Sequence, residues 1–144
     1  MLSLKNKLLN NLKNTYCRLK ASKHGVGVFA ERDIPKNTDP FMGCKRARWL
    51  KFSEKELVVL PKEVLKMVKD FYGSYGKYYL IPYHGLNGND ISFYLNHSEN
   101  PNVFSTDKGE NFLTSKKIKE GEELLADYKT FDPKDEIFTK KRNS

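Results

Sequence analysis

The ten residues 93–102, F-Y-L-N-H-S-E-N-P-N, constrain the fold of this chain more than any other segment. Three aromatic or apolar residues are followed directly by Asn96, His97 and a serine, and a proline and Asn102 come shortly afterwards. Such a pattern is typical of a buried strand that ends in hydrogen-bonding side chains. We therefore expect a strand over 93–95 that carries Asn96 and His97 to a site.

Two other segments stand at informative distances from this one. K-H-G-V-G-V-F-A contains the pair Gly25 and Gly27, and G-E-E-L-L-A-D-Y ends at Tyr128. Glycines one residue apart let the backbone adopt positive φ and approach another group closely. An isolated G-x-G equally suits an ordinary hairpin turn, and it is not the dinucleotide fingerprint, because no third glycine or helix follows. Taken one at a time, His97, Asn96 and Tyr128 also fit a core histidine, a turn residue and a packed tyrosine.

Length, composition and cysteine usage set the class of protein. A chain of 144 residues, with 38% hydrophobic and 31% charged residues, fits one soluble globular domain with a modest core. Cys17 and Cys44 are too few to supply four zinc ligands, and they suit a reducing compartment at least as well as one disulfide. The sequence shows no secretory leader and no apolar stretch of about 18 residues. These features predict an intracellular protein without a membrane span, cytoplasmic if the source is bacterial.

The net charge of +8 is distributed unevenly. Residues 1–30 contain six Lys or Arg and no acidic residue, and further basic groups lie at 45–51 and 140–142. Basic stretches either meet nucleic acid or acidic protein surfaces, or they keep a protein soluble. Nucleic-acid contact through them is a candidate role, but no helix-turn-helix or aromatic stacking motif makes it the primary one.

Local patterns predict many short strands and few helices. Leucines at helical spacing indicate a short helix over 4–12, and a capping box at Ser53 and Glu56 indicates another helix to about residue 59. A third helix follows from Pro61 to Phe71, with Val64, Met67, Val68 and Phe71 on its apolar face. Strands or extended segments are expected at 15–19, after the glycine pair, at 38–43, 77–81 and 111–115, and, after a turn, within 118–125. The pattern predicts one mainly β domain with α+β content.

The three segments, in this order, resemble the SET-domain protein lysine methyltransferases. In that family a glycine pair is followed by N-H-S-x-x-P-N and then by G-E-E-L-x-x-D-Y. The resemblance covers roughly 19–131 and looks like the small, bare SET domains of bacterial or viral type. It implies a single SET domain over 1–144, with an N-terminal extension at 1–18 and a charged tail at 132–144. It also implies a β-clip of short curled sheets with a helical insert near 52–72 and a threaded pseudoknot crossing at the N-H-S segment.

The resemblance further implies S-adenosyl-L-methionine as cofactor and methyl transfer to a lysine amine of a protein substrate. Tyr128 is implied as the catalytic residue, with its hydroxyl orienting the reactants, because an unperturbed tyrosine titrates near ~10 and is a poor proton acceptor at neutral pH. No metal is implied. The implied cofactor-binding residues are Lys23, His24, Gly25, Val26, Gly27, Asn96, His97, Tyr79 and Phe131.

The chain departs from the family pattern at three positions. Phe93 stands where an arginine is common, Glu99 where a cysteine is common, and Ala126 where an aromatic residue often narrows the lysine channel. The last difference bears on how many methyl groups are added. A non-catalytic SET-like module that binds the cofactor or a basic, lysine-bearing peptide is the alternative. The expected partner is a protein with an accessible lysine, and nucleic-acid-associated proteins are candidates because of the basic charge.

Overall fold

The structure is a computed structural model that describes residues 3–44, 48–72, 74–105, 107 and 109–130. These residues belong to two compact units. The first unit holds the described residues up to Cys44 and from Asp90 onward, and the second holds those between Arg48 and Asn89.

Short strands dominate the described residues, and the helices are few. The α-helices are α1 (Leu4–Lys13), α2 (Glu54–Leu57) and α3 (Lys62–Phe71). The strands are β1 (Cys17–Ser22), β2 (Gly25–Ala30), β3 (Trp49–Ser53), β4 (Ser74–Tyr75), β5 (Tyr78–Pro82), β6 (Asn96–His97), β7 (Val103–Ser105), β8 (Phe112–Thr114) and β9 (Glu123–Ala126). Single-turn 3₁₀ helices lie at Leu86–Gly88, Ile91–Tyr94 and Tyr128–Thr130. The predicted mainly β fold with a helical insert is confirmed.

A six-stranded sheet forms the first unit, and β9 is its central element. The strand order is β1-β2-β9-β7-β8, with β6 also paired to β9. β9 runs antiparallel to β2 but parallel to β6 and β7. A strand of four residues therefore joins the N-terminal hairpin to β6 and β7, which come much later in the chain.

The core of the first unit follows from alternation along these strands. Leu124 and Ala126 of β9 and Val28 and Ala30 of β2 are fully buried, as expected for the period-2 pattern of strands. Phe41 closes one side of the cluster with its ring edge-on to Phe112, at 5.9 Å between centroids. The remaining buried members are Ile34, Leu95, Val103, Phe112 and Ile118.

Helix α1 is stabilised locally and buries none of its side chains. Ser3 caps its N-terminus by accepting the amide N–H of Asn6 at 3.1 Å. Leu4, Leu8, Leu9 and Leu12 are all more than half exposed. The leucine spacing correctly predicted a helix, although these leucines do not enter the core.

The second unit combines a three-stranded sheet with two helices. The sheet order is β3-β5-β4, all antiparallel. The predicted capping box is confirmed, since Ser53 Oγ accepts from the Glu56 amide at 3.2 Å and Glu56 Oε1 accepts from the Ser53 amide at 3.0 Å. Helix α3 buries Val68 but leaves Met67 45% exposed, so Met67 is not part of the buried face that the sequence predicted. The Tyr72 hydroxyl donates to Asn89 at 2.6 Å and closes the unit.

Three local predictions were wrong or displaced. The expected strand over 93–95 is largely a 3₁₀ helix, because Asp90 caps it by accepting the Ser92 amide at 2.9 Å. The expected extended segment at 38–43 contains a turn instead of a strand. The first strand is β1, two to three residues later than predicted, since its register is set by pairing with β2.

No helix in the ranges that the structure describes is long and apolar enough to cross a membrane. Cys17 and Cys44 are free thiols and do not form the disulfide that the sequence left open. Burial raises the pKa of the Cys17 thiol to about 12. Burial and the neighbouring Asp90 raise the pKa of Cys44 to about 11.

Candidate functional site

Both the backbone N–H and the side-chain hydroxyl of Tyr128 form hydrogen bonds with a segment about thirty residues earlier in the chain. Its backbone N–H donates to His97 Nδ1 at 3.1 Å, and its hydroxyl donates to the carbonyl oxygen of Leu95. The His97 and Tyr128 rings lie 5.2 Å apart between centroids, at an angle of 54°. Because His97 Nδ1 accepts this hydrogen bond, the nitrogen presents its lone pair to Tyr128, and the other ring nitrogen carries the proton of the neutral imidazole.

Parallel strand pairing places these residues side by side. Asn96 lies opposite Leu125 and His97 opposite Ala126 in the β6–β9 pair. Ser98 continues the pairing, with its amide donating to the Ala126 carbonyl at 3.0 Å. The N-H-S segment therefore runs beside the last motif, and the predicted threaded crossing, which involves the stretch after that motif, stays a prediction.

The buried side chain of Asn102 extends this pairing, because it hydrogen-bonds to the backbone of β9 as a neighbouring strand would. Its Nδ2 donates to the Glu123 carbonyl at 2.9 Å, and its Oδ1 accepts the Leu125 amide at 2.8 Å. Its own amide donates to the Leu125 carbonyl at 3.0 Å. An asparagine suits this position because its side chain has one donor and one acceptor side, like a peptide group.

The glycine pair lies at the start of β2, next to Asn96. Lys23 and His24 form the two-residue turn between β1 and β2, and Gly25 follows at φ +102°, a conformation that favours glycine. Val26 is 47% exposed, while its carbonyl accepts Asn96 Nδ2 at 3.0 Å. The glycine pair therefore lies in an ordinary hairpin, and its backbone also approaches another group closely, so both interpretations of the sequence apply.

Gly27 makes room for a carboxylate that the sequence did not single out. A Cβ atom at this position would overlap Glu123 Oε2 and lie 3.1 Å from Asn96 Nδ2. Glu123 accepts from Asn96 Nδ2 at 2.8 Å and from Ser22 Oγ at 3.0 Å. Glu123 and Ser22 therefore join the cluster. The signal for Glu123 was present in the G-E-E-L segment, but nothing in the sequence showed which side of β9 it would occupy.

The remaining predicted site residues are placed as follows. Tyr79 lies in β5 of the second unit, opposite Phe52 and Ser74 in its sheet. Phe131 lies outside the described residues. Ala126, where the family often has an aromatic residue, is fully buried in the core cluster of the first unit.

The first unit thus brings together most of the predicted site. The hairpin residues Lys23 to Gly27, the pair Asn96 and His97, and Tyr128 all lie around β9 and its neighbours. The ranges that the structure describes contain no group of three or more His, Cys, Asp or Glu side chains that could hold a metal ion.

A family model and a solved structure resemble this chain. The family model of the SET domain matches residues 25–129. No curated protein matches the chain in a sequence search. Among solved structures, the "putative histone methyltransferase" of Plasmodium falciparum is 20% identical, over 79% of this chain and 93% of that one, with a TM-score of 0.46. That likeness is too low to support a functional comparison.

The matched segment contains the glycine pair, Asn96, His97 and Tyr128, and it spans well over half of the chain. The chain belongs to the SET domain family.

Proposed function

We propose that this protein is a protein-lysine N-methyltransferase that uses S-adenosyl-L-methionine. The observation that carries the proposal is the double attachment of Tyr128, through its backbone N–H to His97 and through its hydroxyl to Leu95. These two hydrogen bonds join two of the three family motifs. Asn96 joins the third, since its amide bonds the carbonyl of Val26 in the hairpin.

The residues present fit the proposed cofactor by their chemistry. S-adenosyl-L-methionine carries an ammonium, a carboxylate, ribose hydroxyls and an adenine ring, so it needs donors, acceptors and an anionic group. The hairpin offers the exposed Lys23 and His24, and the adjoining strands offer Asn96 and the Glu123 carboxylate. Gly27, without a Cβ, leaves the space that Glu123 Oε2 occupies beside Asn96.

The chain's contribution to the reaction is mainly orientation. When bound, the cofactor supplies a methyl group on a sulfonium, which a neutral amine can attack in line. Alignment of nucleophile and methyl group accounts for much of the acceleration in such a displacement. Tyr128 donates its hydroxyl proton to the Leu95 carbonyl, which fixes the orientation of the hydroxyl. We assign it an orienting and electrostatic role, and its aromatic face suits an alkylated ammonium through cation–π attraction.

The substrate amine must lose a proton before it can attack. A free lysine titrates near ~10.4 and is cationic at pH 7. A low-dielectric channel and a nearby sulfonium charge both favour the neutral amine. We therefore propose a protein substrate whose lysine is accessible enough to enter such a channel, and proteins associated with nucleic acid are candidates because of the net charge of +8.

Two measurements on the Tyr128→Phe protein test the proposal. Calorimetric titration with S-adenosyl-L-methionine should show saturable binding in the unmodified protein, changed less than about threefold by Tyr128→Phe. Mass spectrometry of lysine-rich proteins incubated with the cofactor should show methyl groups on lysine, formed about 100-fold more slowly by the variant, the usual effect of removing one positioned hydrogen-bonding group. Tyr83→Phe is the matched control, because Tyr83 is 77% exposed.

The outcomes separate the two candidate functions. Cofactor binding that Asn96→Ala abolishes, together with methylation that depends on Tyr128, supports the enzyme. Cofactor or lysine-peptide binding without methylation of any protein tested would favour the non-catalytic module. Absence of cofactor binding to the unmodified protein would overturn the proposal.

A further inference from the structure

Glu123 is a half-buried carboxylate held by neutral groups. It accepts from Ser22 Oγ at 3.0 and 3.2 Å and from Asn96 Nδ2 at 2.8 Å. Among the described residues, no Lys, Arg or His forms an ion pair with it, unlike Glu31, which binds both Arg18 and Lys20. Its negative charge therefore has no ion-pair partner in the part of the chain that the structure describes.

The same carboxylate determines how the Asn96 amide is oriented. One hydrogen of Asn96 Nδ2 is directed to the Val26 carbonyl at 3.0 Å, and the other to Glu123 Oε2 at 2.8 Å. A primary amide has two donor hydrogens, so both are used. The Asn96 carbonyl oxygen consequently lies on the opposite side of the amide, where it can accept a hydrogen bond from a ligand.

The surrounding backbone is built to admit this carboxylate. Gly27 faces it, and a side chain of any size at that position would displace it. Ser22 is the last residue of β1 and lies opposite Gly25, so the hairpin places its hydroxyl next to Glu123. Two segments that are distant in sequence, the hairpin and β6, thus converge on the carboxylate of β9.

We propose that Glu123 determines specificity in the cofactor site, by positioning Asn96 and by supplying negative charge that selects ligands with a primary ammonium. This inference rests on the proposed function and adds a residue that the family resemblance did not supply. A half-buried anion attracts a cation more strongly than one in bulk water, because the effective dielectric constant is lower. Hydrogen bonds that involve charged groups are also stronger than neutral ones. The amino-acid end of the cofactor carries such an ammonium, whereas the corresponding thioadenosine does not.

Two ligands and one isosteric variant test the proposal by binding alone. The probes are S-adenosylhomocysteine, which carries the ammonium, and 5′-methylthioadenosine, which has the same nucleoside without the amino acid. In Glu123→Gln the new side chain can still accept from Asn96 and donate to Ser22, so that mainly the charge is lost. We expect Glu123→Gln to weaken the binding of S-adenosylhomocysteine about tenfold or more, as measured by calorimetry, which corresponds to about 1.4 kcal/mol. The affinity for methylthioadenosine should stay within about twofold of that of the unmodified protein.

A matched control and a second variant guard against a structural effect. Glu122→Gln removes the neighbouring charge, which is exposed and accepts a hydrogen bond from the Lys119 amide. It should leave the affinities for both ligands unchanged.

Ser22→Ala keeps the Glu123 charge but removes one of its hydrogen-bond donors. S-adenosylhomocysteine should therefore bind to it more weakly than to the unmodified protein and more tightly than to Glu123→Gln. The side-chain amide protons of Asn96, followed by NMR without ligand, should shift in Glu123→Gln and not in Glu122→Gln.

Other results would overturn the proposal. Equal losses for the two ligands would show that Glu123 acts on the fold of the site and not on the ammonium. An unchanged affinity for S-adenosylhomocysteine would show that the charge is not used, even if the methyltransferase assignment stands. Failure of the unmodified protein to bind S-adenosylhomocysteine would overturn the proposed function and this inference together.

Discussion

At the scale of single residues, Gly27 is the most restrictive position in the site. Its absent Cβ leaves room for Glu123 Oε2 and Asn96 Nδ2, which lie directly over the backbone of β2. The group in the way is the end of a flexible side chain, so it can rotate aside without disturbing the sheet. A larger residue there should therefore weaken ligand binding more than it lowers the free energy of unfolding.

We predict that Gly27→Ala changes the free energy of unfolding by less than about 1 kcal/mol, because the strand gains from losing a flexible glycine while Glu123 moves. We expect S-adenosylhomocysteine to bind about tenfold more weakly, since the Glu123–Asn96 hydrogen bond at 2.8 Å is lost. Calorimetry and urea unfolding of the same preparations measure both effects.

A double-mutant cycle supplies the control for this prediction. In a Glu123→Ala background the overlap with the carboxylate no longer exists, so adding Gly27→Ala should cause little further loss of binding. Equal losses in the two backgrounds would contradict the role of Gly27 as space for the carboxylate.

At the scale of elements, β9 is short for the number of partners it has. Its four residues pair with β2, β6 and β7, and the side chain of Asn102 occupies two further backbone groups of the strand. Because the parallel pairs are so short, each hydrogen bond contributes a large share of what holds β6 and β9 together. The position of Asn96 and His97 depends on that pairing.

We predict that Asn102→Ala lowers the free energy of unfolding by about 2–3 kcal/mol, because it leaves the Leu125 amide and the Glu123 carbonyl without their partners. Asn102→Asp should cost at least as much, since an oxygen would replace the donor that faces the Glu123 carbonyl. Urea unfolding at neutral pH measures both. The control is Asn100→Ala at an exposed position of the same loop, which should stay within about 0.5 kcal/mol.

At the scale of the whole molecule, the dependence of stability on alkaline pH reports on a partly buried thiol. Burial raises the pKa of Cys17 to about 12, and Cys17 packs against the core cluster. An ordinary thiol titrates near ~8.5. Above that pH the unfolded chain releases this proton while the folded chain retains it, so the contribution of Cys17 to stability is lost as the pH rises toward 12.

We therefore predict that the free energy of unfolding falls more steeply between pH 8.5 and 11 in the unmodified protein than in Cys17→Ala. The difference in slope should stay below the limit of about 1.4 kcal/mol per pH unit for one fully shifted group. Parallel slopes for the two proteins would contradict the burial of this thiol.

The motifs allowed much of the site to be predicted, because each consists of residues whose chemistry is specific at that spacing. Asn96, His97 and Tyr128 are brought together as expected, and so is the hairpin of Gly25 to Gly27. Tyr79 lies in the second unit and Phe131 outside the described residues, so their predicted roles stay predictions.

The predictions that failed rested on local sequence patterns, which did not reveal a competing hydrogen bond or the packing of a surface. The aromatic run at 93–95 looks like a strand, but the Asp90 side chain caps a 3₁₀ turn there, and apolar content alone does not distinguish the two. The leucines of α1 have a helical period, and that period does not reveal whether another surface covers them.

The sequence by itself determined the family, the mainly β class and most of the residues that meet around β9, because these depend on residue types in a fixed order. Tertiary structure alone decided that residues 93–95 carry Asn96 and His97 by a 3₁₀ turn, and that Asn102 completes β9 with its side chain. It also decided that Glu123 faces Asn96 across Gly27. The physical reason is that strand register between distant segments selects which face each side chain occupies, and register is set by pairing that no local pattern contains.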